Sequence, residues 1–112
     1  MEREPIMPEK IKTSGKEILA GIFRKAMELQ ANEIEMEYKD GYEELFAFHN
    51  GFGAGIGRFK SNSEEAEMLQ KYLYAAKKPM TFIDDFDKFQ FTVKIYESFG
   101  EDCFRIRFKK IA

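Results

Sequence analysis

From residue 31 to residue 59 apolar positions alternate with charged or small ones, and the alternation breaks at Asp40-Gly41 and again at Asn50-Gly51. Period two is the spacing of a strand with one buried face, and Asp-Gly and Asn-Gly supply the positive φ angles of tight hairpin turns. The pattern predicts three antiparallel strands, over about Glu33 to Lys39, Tyr42 to His49 and Phe52 to Lys60. In the first of these Ile34, Met36 and Tyr38 are expected to face inward.

On either side of these strands the period changes. Ahead of the strands, Ile18, Leu19, Ile22, Phe23, Ala26, Met27 and Leu29 recur at helical spacing, with Lys16, Glu17, Arg24, Lys25 and Glu28 on the other side. Ser14 followed three positions on by Glu17 is a capping box, so this helix starts at residue 13 or 14. After the strands, Ser61-Asn62-Ser63 offers three N-caps for a second helix carrying Ala66, Met68, Leu69, Tyr72, Leu73 and Ala76. Pro79 ends it. A short strand over Met80 to Ile83 leads through Asp84-Asp85-Phe86-Asp87 into a long one bearing Phe89, Phe91, Val93 and Ile95. A turn at residues 98–102 leads into a last strand with Phe104, Ile106 and Phe108 inward. The order is α-β-β-β-α-β-β-β, an α+β fold with two helices packed on one face of a mainly antiparallel sheet. Residues 1–12 contain Pro5 and Pro8 and read as a flexible arm whose Ile6, Met7 and Ile11 could dock on the body; residues 13–112 form the single domain.

Composition agrees with that reading. At 112 residues the chain can bury a core without disulfides, and twelve phenylalanines with no tryptophan make that core Phe-packed. One cysteine, Cys103, excludes an internal disulfide and fits a reducing compartment. Neither end reads as a signal peptide, and no apolar run approaches the roughly 20 residues of a membrane span. A cytoplasmic protein with no membrane partner is expected. A net charge of −2 speaks against nucleic acid as a partner. Locally the charges segregate, with Glu33, Glu35 and Glu37 on one strand and Arg105, Arg107 and Lys109 on another.

Candidate chemistry is thin. The run Gly51, Gly53, Gly55, Gly57 has glycines at strict period two, unlike the G-x-G-x-x-G of a dinucleotide site or a Walker loop. Period two places all four on one face of the third strand, a bare strip where a ring, a helix or a ligand could approach. His49 and Cys103 are too few and too far apart in sequence for a zinc site, and Cys103 has no helix N-terminus to activate it. Asp84, Asp85 and Asp87 resemble half of a calcium loop without its glycine and closing glutamate. No cofactor, metal or enzymatic activity is expected. The basic row Arg105, Arg107 and Lys109, extended across the neighbouring strand by Lys88 and above all Lys94, is the candidate docking face for another protein or a second copy.

Ala31-Asn32-Glu33-Ile34-Glu35-Met36-Glu37, then His49-Asn50-Gly51, then Phe91-Thr92-Val93-Lys94-Ile95, Gly100-Glu101-Asp102 and Ile106-Arg107 together resemble a known domain. It is the PAS-like amino-terminal domain that precedes the motor in type II secretion and type IV pilus assembly ATPases. The resemblance runs from about Ile18 to Lys109. Leu45-Phe46-Ala47-Phe48 stands where that family carries arginines, and no motor or Walker motif is present. What the resemblance implies is a non-enzymatic interaction or adaptor module associated with a secretion or pilus machine. The alternative it implies is a PAS-like sensor of a small ligand or nucleotide, for which the glycine strip would make room.

Overall fold

The computed structural model describes residues 14–112; the arm expected over residues 1–12 lies outside them. Helix α1 (Gly15–Glu28) leads into β1 (Glu33–Lys39), β2 (Tyr42–His49) and β3 (Phe52–Lys60), and helix α2 (Glu64–Ala75) leads into β4 (Met80–Asp84), β5 (Asp87–Ser98) and β6 (Glu101–Lys110). The fold is α+β in the expected order. Its six strands form one fully antiparallel sheet in the order β3-β2-β1-β6-β5-β4. The first and last strands therefore meet in the middle, along Ile34 opposite Ile106 and Met36 opposite Phe104.

Local chemistry sets the boundaries. Ser14 accepts from the Glu17 amide while Glu17 accepts from the Ser14 amide at 2.9 Å, closing the capping box at the start of α1. Ser63 does the capping for α2, taking the Ala66 amide at 3.1 Å, with Glu64, Glu65 and Glu67 in the first turn where the helix dipole favours them. Asp40-Gly41 and Asn50-Gly51 both take positive φ at both positions, which joins their strands in the two-residue turns the sequence predicts. At Gly15 the helices cross so closely that a Cβ would stand 2.7 Å from the Met68 carbonyl oxygen. This glycine serves packing, not phosphate binding.

Both helices cover the same face, and the core lies between them and the sheet. Phe23 of α1 stacks flat on Phe108 with ring centroids 4.2 Å apart and meets Phe89, Phe91 and Phe82 at tilted angles. Tyr72 and Tyr74 of α2 close on Phe91 and Phe104. Each fully buried phenylalanine contributes on the order of 2–3 kcal/mol of transfer free energy. Three expected inward residues fall outside this core: Tyr38, Leu29 and Ile95 are exposed, because each sits toward the end of its element, past the reach of the opposing layer. Conversely, Glu43 is buried on the helix side of β2, where the Ser61 hydroxyl donates to its carboxylate at 2.8 Å.

The β4–β5 turn is fastened to α1. Arg24 donates to the Asp84 carboxylate at 2.8 Å, to the Asp84 carbonyl at 3.0 Å and to Asp87 at 2.9 Å, and Lys110 approaches Asp87 at 3.4 Å. Hydrogen bonding to Arg24 pulls the Asp87 carboxyl below its ordinary range. The acidic turn that resembled half a calcium loop thus has an arginine as its counter-ion.

Candidate functional site

Among the described residues both helices lie on one side of the sheet, and none covers the other side. Alternation along each strand decides what it displays. From β5 come Gln90, Thr92, Lys94 and Tyr96; from β6 Cys103, Arg105, Arg107 and Lys109; from β1 Glu33, Glu35 and Glu37; from β2 Tyr42, Glu44, Phe46 and Phe48. Lys94 lies opposite Arg105, and Thr92 opposite Arg107. Lys94, Arg105, Arg107 and Lys109, expected to form a basic docking row, therefore share this face.

They are not equivalent. Arg105 is held within the chain: its guanidinium meets Glu35 at 2.7 Å and Glu33 at 3.1 Å and lies over the Tyr96 ring at 5.4 Å. Tyr96 donates to the same Glu35 at 3.0 Å, and burial together with that bond pushes its hydroxyl pKa up to about 12. Arg107 reaches Glu33 only at 3.6 Å, with its side chain 77% exposed. Lys94 and Lys109 have no ion pair among the described residues. Among the described residues the uncompensated charge thus belongs to Lys94 and Lys109, Arg107 is loosely paired, and Arg105 ties β6 to the acidic row of β1.

Two shallow depressions lie along these cations and share Thr92 and Arg107. One, of about 300 Å³, runs from Pro79 past Gln90 to Lys109, and the other, of about 260 Å³, lies between Lys94, Arg105 and Arg107. Pro79, Phe91, Val93 and Phe108 supply their apolar lining, and Gln90, Thr92 and the cations the polar part.

The glycine run is arranged otherwise than its period suggests. Gly51 is in the β2–β3 turn. Gly53 and Gly55 lie on the open face opposite Phe48 and Phe46. A β-bulge between Gly55 and Gly57 then adds a residue, so that Gly57 pairs with Leu45 and faces the helices, 3.9 Å from the Lys25 ammonium. The strip of four is in fact two glycines, on the face turned away from the helices and so not between sheet and helix. The Phe48 ring fills the space above Gly53, where a Cβ would come within 2.6 Å of it.

Phe46 and Phe48 on the open face escaped the sequence reading. In the run Glu-Leu-Phe-Ala-Phe both phases are apolar, and only the register with β1 shows that Leu45 and Ala47 are the core positions. His49 and Cys103 lie at opposite ends of the sheet, His49 beside the β2–β3 turn and Cys103 near the β5–β6 turn. Burial, with Glu37 and Glu35 nearby, pushes the Cys103 thiol up, away from the thiolate a nucleophile needs. Among the described residues no helix is long and apolar enough to cross a membrane. No protein-family model matches this chain, and no curated protein is significantly similar to it.

Proposed function

We propose that this protein is a non-catalytic interaction module that docks an acidic surface or segment of another protein across β5 and β6 on the open face. The observation that carries the reading is Lys94 and Lys109, exposed along the two depressions with no ion pair among the described residues, beside Arg107, which is mostly exposed and only loosely paired with Glu33. Charges so placed steer an acidic partner and fix its register, while the apolar lining contributes affinity. The aromatic residues of this face argue for protein over nucleic acid. Phe46 and Phe48 are separated from the cations by Glu33 and Glu35, so a strand of bases could not stack and neutralise its phosphates in one footprint. The resemblance to the PAS-like domain of secretion and pilus ATPases supports a component of such a machine as the partner.

Reversing Arg105 would set a third carboxylate against Glu33 and Glu35 and disturb the fold, so the test uses the other three. The native chain and a Lys94→Glu, Arg107→Glu, Lys109→Glu variant serve as matched baits for capture from the source cell's lysate, read by mass spectrometry. The expected outcome is a partner retained by the native chain, released by rising salt and absent from the variant, with both baits equally folded by circular dichroism. Equal recovery by both would remove this face from consideration.

A further inference from the structure

The sheet has two edges, and they are protected unequally. β4 is five residues long, follows Pro79 and ends at Asp84 and Asp85, devices that discourage strand addition. β3 has nine residues, and its second half is guarded by the bulge and by Lys25, whose ammonium donates to the Ile56 carbonyl at 2.9 Å. Among the described residues its first half has no such guard. Residues 50–57 carry no charge and no proline, Gly53, Ala54 and Gly55 are exposed, and Phe52 is 82% exposed.

Which backbone groups this half presents follows from the turn. In a two-residue hairpin the flanking residues, His49 and Phe52, bond to each other, and in an antiparallel pair the bonded positions alternate. Phe52 and Ala54 thus spend their N–H and C=O groups on β2. Gly53 and Gly55 point theirs outward, into solvent.

We propose that this edge is an interface between two copies of the chain, which pair antiparallel through β3 about a twofold axis at Ala54. A twofold axis at Ala54 makes the contact self-complementary, each residue meeting its partner twice, and the near-palindrome Phe52-Gly53-Ala54-Gly55-Ile56 then puts small residues opposite small and apolar opposite apolar. In this register Gly53 of one copy bonds Gly55 of the other in both directions, and Ala54 faces its own counterpart in a non-bonded pair. Phe52 comes opposite Ile56, and Arg58 falls opposite the uncharged Asn50, so like charges do not meet. The bulge and Lys25 stop the ladder beyond Ile56. Pairing β3 with β4 of another copy would instead repeat without closing, and Asp84 and Asp85 oppose it. The inference is independent of the docking face on β5 and β6.

The register sets the test. A non-bonded antiparallel pair holds its Cα atoms about 4.5 Å apart, within disulfide reach. Ala54→Cys should therefore give a disulfide-linked dimer under mild oxidation. Phe52→Cys should not, because its two copies would stand about 13 Å apart along the strands. The native chain, whose Cys103 is buried, is the control. In sedimentation over about 10 μM to 1 mM, the range in which a contact well below the usual interface size is measured, the native chain should show a concentration-dependent dimer. Ala54→Lys, which sets two ammonium groups on the axis at an exposed position, should weaken that dimer at least tenfold. A monomer throughout, a dimer indifferent to Ala54→Lys, or equal cross-linking at both positions would overturn the proposal. So would a monomer whose Gly53 and Gly55 amide resonances shift only when an unrelated extended peptide is added.

Discussion

Phe99 is the residue whose conformation and environment agree least with its side chain. It opens the β5–β6 turn with φ +53° and is wholly exposed, whereas the equivalent first positions of the other two-residue turns are Asp40, Asn50 and Asp85. An L-residue in the left-handed region is strained by roughly 1–2 kcal/mol, and asparagine relieves much of that by local hydrogen bonding. Because the ring covers nothing, its removal forfeits no burial. Phe99→Asn should stabilise the protein by about 1 kcal/mol, seen as a higher urea midpoint with unchanged slope. Loss of stability would mean that the ring packs on the sheet in solution. Strain that folding does not use is often kept for binding, and the same variant entered in the capture experiment reads whether Phe99 touches the partner.

Among the elements, α1 contains two glycines with opposite reasons to be there. Gly21 sits mid-helix on the exposed side with nothing within 4 Å of an added Cβ, while an alanine at Gly15 would press 2.7 Å from the Met68 carbonyl and 2.8 Å from the Tyr72 Cβ. Gly21→Ala should stabilise by about 1 kcal/mol through helix propensity alone. Gly15→Ala should destabilise by about 1–3 kcal/mol, because the backbone of α2 must move. Thermal unfolding of the two variants side by side checks this, and a gain at Gly15 would show the crossing to be looser than described.

The elements were also the most legible part of this fold. Caps at Ser14 and Ser63, the Asp40-Gly41 and Asn50-Gly51 turns and strict alternation on β5 and β6 are local signals, and each marks its boundary within a residue or so. They place Lys94, Arg105, Arg107 and Lys109 on one face correctly. Strand order was beyond them, since the pairing of β1 with β6 joins residues about seventy positions apart through apolar side chains that would fit other neighbours equally well. From that one unread pairing came the rest. In sequence the acidic row of β1 and the basic row of β6 read as separate patches, whereas Glu33 and Glu35 lie beside Arg105 and Arg107 of the same sheet. The bulge that turns Gly57 toward the helices left no mark in a glycine-rich run that reads as regular.

For the whole molecule the β1–β6 seam has a mechanical meaning. The sheet consists of two locally connected three-stranded units, β3-β2-β1 and β6-β5-β4, and along the sheet they touch only at this seam. Each unit is made of short hairpins that close cheaply, whereas the seam closes nearly the whole chain. Beneath it, Ile34, Met36, Phe104 and Ile106 are fully buried, and above it the Glu33, Glu35, Arg105 and Tyr96 cluster bonds the two strands across the open face. A core that bridges both units makes them unfold together. Ile106→Ala, which empties a site only 1% exposed, should cost about 2–5 kcal/mol. Its effect should reach β2 and β5 equally, although Ile106 lies in neither. Native-state hydrogen exchange gives the readout: amides of Leu45 and Ala47 on one side and of Phe91 and Val93 on the other should lose protection by the same amount. If one set loses protection while the other keeps it, the seam is a hinge between two separately stable halves, and the open face above it would bend where Arg105 now ties it.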